Sequence, residues 1–578
     1  MKRFMTIWKY AKKYKYLFAL SELCIIVSYS ISIILPFNFS ILIDRVLYGS
    51  EYGLLSRVIL NYICLFVISF GFNLLFSYVW QTLSNRFVVD IKTDMYKKIL
   101  QAKASQLADM NVGDYIHRID SDSDNFLTYI QRNIFHFTNS IVLCIVIVYS
   151  IWEINKLLSI ILIIAAVLPI IVTKILLPIR KKYANVLKNE TGIVSGILYE
   201  FLNNFMDIKL MIADNWANSK FKEKVLKLIH YQNKERWADY SLNKITYLVN
   251  LTCSIIIYIL SVNLILEHKM SAGIMVAIIN LIGLLHKKLN WILRIYSDLP
   301  SRNTSINRVI EVLNLDSETN GIDNKRRIDN RIESIVFQNV SFNYNDQNET
   351  LSNISFELAL GRNALVGESG SGKTTIAGLM IGLWSPISGK ILLNGVDINT
   401  YSVYSIRQHI GLLSQEVFLF NGSLRDNILM GKNNITDETI LELCRELGLE
   451  ECIISMPNSL DTIMSRATDL SKGQKQRIMI ARLLLRDTDV LIFDEAVAAL
   501  DIETEKRVFD TIYRRCKNRI VLVISHRFST IKDCDKIIVL NNGKIETSGT
   551  HNELIRRSKT YTSLFGEDID DKNQIESI

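Results

Sequence analysis

The sequence predicts two unlike parts in series: an all-α membrane domain of six long transmembrane helices, then an α/β domain built around a phosphate-binding loop. Three observations carry this. Apolar residues, 49% of the 578, gather into six long blocks in the first half. A glycine-rich loop ending in Lys373-Thr374 follows the short apolar run Ala364-Leu365-Val366. A second apolar run, Val490-Leu491-Ile492-Phe493, ends in the carboxylate pair Asp494-Glu495.

Composition narrows the class. The eight cysteines show no C-x-x-C pair and no metal-ligand spacing, so they read as small apolar fillers rather than a disulfide framework or a zinc site. The net charge of +8 comes from Lys and Arg crowded beside the apolar blocks, the distribution of a membrane protein's cytoplasmic edges, which argues against a nucleic-acid partner.

Residues 1–16 interleave Lys2, Arg3, Lys9, Lys12, Lys13 and Lys15 with Phe4, Trp8, Tyr10 and Tyr14, the pattern of a cytoplasmic interfacial segment. The apolar run that follows continues past Pro36, too long for a cleaved signal peptide. The transmembrane domain, residues 17–299, holds blocks at about 17–42, 57–80, 134–152, 157–178, 245–266 and 272–296. Each approaches the ~20 residues that cross a ~30 Å hydrocarbon core. Short polar links at Gly49-Ser50-Glu51, Glu153-Ile154-Asn155-Lys156 and Glu267-His268-Lys269 lie on one side. Two long connections, about 81–133 and 179–244, are rich in Lys and Arg and so lie in the cytoplasm. Both keep a helical pattern, and roughly 25 residues out and 25 back at ~1.5 Å per residue extend helices about 35–40 Å from the bilayer. The turns are expected near Asp120-Ser121-Asp122-Ser123-Asp124 and near Ala213-Asp214-Asn215-Trp216, where capping residues break the apolar rhythm.

The sixth block carries His286, Lys287, Lys288, Asn290 and Arg294, with Lys287, Asn290 and Arg294 spaced to share one helix face. Two readings stay open. The face lines a translocation cavity suited to an anionic substrate or lipid headgroup, or the helix leaves the bilayer here and the side chains snorkel.

Residues 300–333 change character and read as a linker with a helix from Ile306 to Leu315. The α/β domain covers 334–566, and the acidic tail 567–578 reads as disordered. Early in the domain Tyr344 ends an alternating strand; by itself it is a packing residue or a platform for a base. Gly367-Glu368-Ser369-Gly370-Ser371-Gly372-Lys373-Thr374-Thr375 fits the phosphate-loop pattern. Its glycines let backbone N–H groups wrap a phosphate chain at a helix N-terminus, Lys373 reaches the outer phosphates, and Thr374 ligates Mg2+. The loop therefore specifies a nucleoside triphosphate. Gln415 follows the apolar run Ile410 to Leu413, within reach of Mg2+ or an attacking water. Asp494 and Glu495 fit a metal-orienting acid beside a water-activating base. The run Ile520 to Ile524 delivers Ser525-His526 at its end.

Just before the Asp494-Glu495 strand stands Leu470-Ser471-Lys472-Gly473-Gln474, which is similar to the LSGGQ signature of ABC transporters. With it, the motif set resembles an exporter-type half-transporter, one six-helix membrane domain fused to one nucleotide-binding domain, over nearly the whole chain. The resemblance implies ATP and Mg2+ as ligands. It makes Tyr344 the adenine-stacking residue, Gly367 to Thr375 the Walker A loop, and Asp494 the Walker B aspartate, reaching Mg2+ directly or through water. Gln415 becomes the Q-loop residue, Glu495 the catalytic base, His526 the switch histidine and Asp501 the D-loop aspartate. Leu470 to Gln474 would then close over ATP held by a second chain, so a homodimer is implied, with a heterodimer as the alternative. The chain departs from the family pattern at Lys472, at Ser465-Arg466-Ala467 and at Ala498.

The implied activity is ATP-driven export by alternating access from a bacterial inner (plasma) membrane, with the nucleotide-binding domain cytoplasmic. Only 16 residues precede the first block, which leaves no room for an N-terminal peptidase domain. The basic face of the sixth block favours a small peptide or other anionic amphiphile. Lipid or lipid-linked flipping and multidrug export are the alternatives. A nucleotide-gated regulator is disfavoured because Glu495 is kept.

Overall fold

The computed structural model describes residues 10, 12–107, 112–129, 135–318, 325–344, 350–432, 434–464, 470–497 and 499–565, with the backbone alone for 127–129 and 297–303. Ser465-Arg466-Ala467, Ala498, the tail 567–578 and the first nine residues lie outside the described residues. The chain divides into two compact units: Met1–Leu100 with Asn111–Asn314, and Gln101–Met110 with Leu315–Ile578.

In hydrocarbon every backbone N–H and C=O must be paired within its own segment, so an apolar run of this length is driven into a helix. Among the described residues six helices are long and apolar enough to cross a membrane: Lys15–Tyr48, Tyr52–Gln101, Phe137–Ile154, Lys156–Asn203, Asp214–Leu266 and Ala272–Tyr296. Leu143, Ile147 and Ile151 of the third span pack with Leu158 and Leu162 of the fourth, Ile257 of the fifth, and Ile278, Leu281 and Leu285 of the sixth. The outward face of the second span keeps Ile59, Ile63, Phe66 and Phe70 exposed, as contact with lipid tails requires. The fourth and fifth helices, 48 and 53 residues long, outrun the bilayer and pack along each other. Ion pairs join them: Arg180 to Asp239 at 3.0 Å, and Lys227 to Glu190 at 2.7 Å.

The turn of the first long connection is not at the acidic run. The second helix ends at Gln101 and the chain reverses just beyond it, whereas 118–129 are helical. Lys92 of the second helix pairs with Asp120 at 2.8 Å and Asp124 at 3.4 Å, so the acids are neutralised along a helix pair instead of capping a turn. The second turn falls where capping residues predict it: a short helix, Phe205–Leu210, ends at Met211 and the next begins at Asp214. The sixth helix runs unbroken from Ala272 to Leu313, so the predicted separate linker helix is its last stretch. Buried Ile306, Val309, Ile310 and Val312 continue its helical spacing.

One polar contact ties the ends of the first and sixth spans. The first helix passes into a π-helical turn, Leu42–Tyr48, which carries Asp44. Its carboxylate accepts from the Ser271 hydroxyl at 2.6 Å and the Gly273 N–H at 2.8 Å, at the N-terminus of the sixth helix. That end presents orphan N–H groups and a positive dipole, both of which a carboxylate satisfies. The approach is close enough that a Cβ on Gly273 would lie 2.4 Å from the Ser40 carbonyl oxygen.

The second unit is built from β1 (Ser334–Phe342), β2 (Leu351–Ala359), β3 (Gly361–Gly367), β4 (Ser388–Leu393), β5 (Val396–Asp397), β6 (Ile410–Leu413), β7 (Gly422–Ser423), β8 (Ile463–Met464), β9 (Val490–Asp494), β10 (Ile520–Ile524), β11 (Lys536–Asn541) and β12 (Lys544–Gly549). An antiparallel sheet in the order β2-β1-β4-β5 packs with a second sheet ordered β12-β11-β3-β10-β9-β6, and β7 pairs with β8. In the six-stranded sheet all pairings are parallel except β11 with β12. Every residue of β9 and β10 is buried, the continuous apolar pattern of strands covered on both faces. The ten residues Gln101–Met110 belong to this unit. Ala102 bridges Ser317 in antiparallel fashion, and the Gln106 amide exchanges hydrogen bonds with Asp316 at 3.0 and 3.1 Å.

Gly273→Ala should destabilise the membrane unit by about 1–3 kcal/mol, since a methyl group forced against backbone costs that much in a packed site. Thermal unfolding of the detergent-purified protein measures it; an unchanged midpoint would show that the Asp44 contact yields freely.

Candidate nucleotide site

Parallel pairing sets the geometry of the site. In β10, Ile524 lies opposite Leu365 of β3 and Asp494 of β9, and Leu413 of β6 lies opposite Phe493 of β9. The segments that leave these four strands therefore emerge side by side, in the crevice where open α/β sheets bind ligands. The phosphate loop follows β3, His526 follows β10, Glu495 follows β9, whose last residue is Asp494, and Gln415 follows β6.

The phosphate loop follows β3. Gly370 and Gly372 take φ values of +80° and +104°, a region that L side chains avoid, and Lys373 then opens an eight-residue helix. Lys373 is 7% exposed and folds back over the loop, donating to the carbonyls of Gly367 and Glu368 at 2.8 Å each. Burial pushes its pKa down, with Glu495 and Asp494 pulling the other way. Glu368 and Ser369 are exposed beside it. The Ser371 hydroxyl is buried without a hydrogen-bond partner. A buried hydroxyl left unmatched costs free energy, and an acceptor-rich anion in the loop removes that cost. Thr374 is exposed, whereas Thr375 is buried with its hydroxyl 2.9 Å from the Tyr344 hydroxyl.

Glu495 follows β9 with φ at +49°, strained for a residue with a side chain. Its N–H donates to the Ile524 carbonyl at 2.9 Å, which holds this turn against β10. Its carboxylate accepts from the Gln415 amide at 2.7 Å and lies 3.4 Å from His526 Nε2. Burial raises the pKa of Asp494, with the Thr374 hydroxyl and Lys373 among the groups that lower it. Burial and then Lys373 depress the pKa of His526 below the ordinary histidine value, so its ring is neutral at pH 7.

The structure thus brings Lys373, Thr374, Gln415, Asp494, Glu495 and His526 together. The signature and D-loop residues head two other helices. Ser471 caps helix Lys472–Leu484 through a capping box with Gln474, at 3.1 and 2.8 Å. Ser471 and Lys472 are exposed and Leu470 is half-buried. Gly473 is buried, and a Cβ there would lie 3.0 Å from the Leu500 side chain. Asp501 caps helix Ile502–Arg515, accepting from the Thr504 N–H at 2.9 Å, and hydrogen bonds from Thr504 hold its pKa low.

Sequence reasoning missed a buried cluster behind the site. Arg527, next to His526, donates to the Leu500 carbonyl at 2.8 Å and pairs with Glu505, which is 2% exposed and also accepts from Thr530. It links the His526 segment to the one before Asp501. An acid in a helix's first turn reads as a complement to the helix dipole, so nothing in the sequence marked Glu505 as buried.

In the membrane unit, Lys287, Asn290 and Arg294 line a cavity of about 650 Å³ with Thr173, Arg180, Asp239 and Thr246. His286 is not among its lining residues; its Nε2 is buried with no hydrogen-bond partner. Lys288 donates to the Tyr29 hydroxyl at 2.6 Å.

Comparison with known proteins agrees with both units. The family described as "ABC transporter transmembrane region" matches residues 18–288, and the one described as "ABC transporter" matches residues 351–498. The "Putative multidrug export ATP-binding/permease protein YgaD" of Bacillus subtilis (strain 168) is 28% identical over 580 residues, covering 98% of each chain. "ATP-binding cassette sub-family B member 6" of Xenopus tropicalis is 31% identical over 461 residues, 78% of this chain and 54% of that protein. A bacterial Atm1-family ABC exporter solved with ATP bound shares the fold at a TM-score of 0.85 and 22% identity, over 96% of this chain and 98% of that one. With membrane and nucleotide parts matched in series on a single chain, the protein belongs to the ABC transporters, as an exporter half-transporter whose second domain hydrolyses ATP.

Proposed function

We propose that two copies of this chain pair in a bacterial inner membrane and hydrolyse ATP with Mg2+ to export an anionic amphiphile, a small peptide foremost. The observation that carries the catalytic part is the convergence of Gln415, Glu495 and His526 beside Lys373. Phosphoryl transfer asks little of a protein beyond positioning and charge compensation. Glu495, oriented by Gln415, polarises the attacking water. Lys373 leaves its own loop carbonyls for the outer phosphates, and His526 offers a ring N–H to the γ-phosphate. The strained backbone of Glu495 keeps its carboxylate at this point through the bond to β10.

Mg2+ favours hydroxyl and carboxylate oxygens, and the neighbouring Thr374 and Asp494 supply them, with Gln415 at the same edge. When bound, it would offset phosphate charge. Tyr344, about half exposed, offers a ring face to adenine. The exposed Ser471 at a helix N-terminus is suited to a phosphate on the partner chain, with Lys472 adding positive charge and Asp501 following in the D-loop. One chain fills every main catalytic position, which favours a homodimer over a pair of unlike chains.

For cargo, Lys287, Arg294 and Arg180 outnumber Asp239 in the membrane-unit cavity, with Asn290 and Thr173 as neutral partners. His286 does not line this cavity. Multidrug export is the second reading, favoured by the name of the Bacillus relative.

Glu495→Gln should retain ATP binding and lose hydrolysis by about 10²–10⁴-fold, the range for removing a general base. Single-turnover assays in nanodiscs check this, and near-normal turnover would remove Glu495 from its role. Lys287→Gln combined with Arg294→Gln should raise the concentration of an anionic amphiphilic peptide needed to stimulate ATPase, by tenfold or more on the order expected for charge-assisted bonds. An equal response to anionic and zwitterionic peptides in the parent protein would sink the cargo assignment.

A further inference from the structure

The helix behind the phosphate loop presents two unusual positions on one face. Thr375 and Gly378 are three residues apart, so they lie one above the other. Thr375 meets the Tyr344 hydroxyl at 2.9 Å. Gly378 leaves its backbone bare, and the Trp384 indole fills the space: a Cβ on Gly378 would fall 2.0 Å from Trp384 Cζ3 and 2.5 Å from Cε3. Trp384 in turn meets the Tyr344 ring edge to face, with centroids 5.1 Å apart and planes at 87°. Phe342 holds the same ring at 5.0 Å and 86°.

These contacts form a closed circuit. It leaves the phosphate-loop helix at Gly378, passes through Trp384 and Tyr344, and returns at Thr375. A single hydroxyl bond would leave the Tyr344 ring free to rotate about its axis. Edge-to-face packing by two aromatic rings fixes the plane, because the positive ring edge is drawn to the negative face. The orientation of that plane decides how well a flat base stacks upon it.

We infer that Trp384, seated on Gly378, is a positioning residue for nucleotide recognition: it sets the plane of the Tyr344 ring and ties base binding to the phosphate loop. The inference rests on the reading of Tyr344 as the base platform. Trp384 does not touch the reacting atoms, so its loss should appear in affinity and base preference and not in the chemical step.

The test uses the full-length protein in nanodiscs and compares Trp384→Leu with Trp384→Phe. Both keep an apolar side chain over Gly378, and only Phe keeps an aromatic edge. Trp384→Leu should raise KM for ATP about threefold to tenfold, with kcat retained, and should narrow the preference for ATP over UTP. Trp384→Phe should restore both. Gly378→Ala, which evicts the indole, should reproduce the Leu effect in the binding of a fluorescent ATP analogue, a readout that needs no turnover. Parent-like KM in Trp384→Leu together with parent-like binding of the analogue in Gly378→Ala would overturn the inference, as would a fall in kcat at unchanged KM in Trp384→Leu. Tyr344→Ala separates the two levels: a raised KM there with no Trp384 effect overturns this inference alone, and an unchanged KM there overturns the reading of Tyr344 as well.

Discussion

Parallel strands must release the chain at the same edge, and in the second unit this requirement decides where the chemistry can sit. The register of β10 against β3 and β9 sets Ile524 beside both Leu365 and Asp494, so a loop, a histidine and a carboxylate pair emerge as neighbours although they lie far apart in sequence. A one-residue slip of β10 would turn its side chains to the opposite faces of a sheet buried on both sides. Complete burial of β9 and β10 makes that slip costly, so the packing of apolar side chains is what holds the polar site in alignment.

The membrane unit solves a different problem. Its side chains contact lipid tails as apolar as themselves, so hydrophobic burial contributes little to choosing which helices meet. Polar contacts supply part of the specificity. Asp44 selects the N-terminus of the sixth helix, Arg180 selects Asp239 along the fifth, and Lys227 selects Glu190 beyond it. Partly exposed ion pairs such as these two add little stability singly. They nonetheless fix the lengthwise register of helices that would otherwise slide.

Much of this was legible in the sequence for physical reasons that differ by element. The six spans declared themselves because lipid imposes both length and composition. The phosphate loop and Asp494-Glu495 could be read because strained turns and buried strand ends accept few residue types. The turn after Gln101 was not legible: residues 101–107 carry neither Gly nor Pro, and the reversal is stabilised by Ser317 and Asp316, far along the chain. The acidic run drew the eye instead, because local composition cannot show that Lys92 lies across from it. Glu505 escaped for the same reason, since its burial depends on Arg527 and Thr530 arriving from another segment. Of the polar residues in the sixth span, Lys287, Asn290 and Arg294, which spacing placed on one helix face, line the same cavity, and spacing had no means to separate them from His286, which does not.

The second unit is not a continuous stretch of chain. Gln106 bonds to Asp316, 210 positions farther along the chain, and the residues between them are synthesised first. During translation the ten-residue excursion leaves the ribosome with its partner still unmade, and its backbone groups around Ala102 wait in solvent until residues 316–318 arrive. A soluble fragment begun at Leu315 would carry the Ser317 edge bare for the same reason. An assay on such a fragment would report on an assembly lacking one of its own surface pieces.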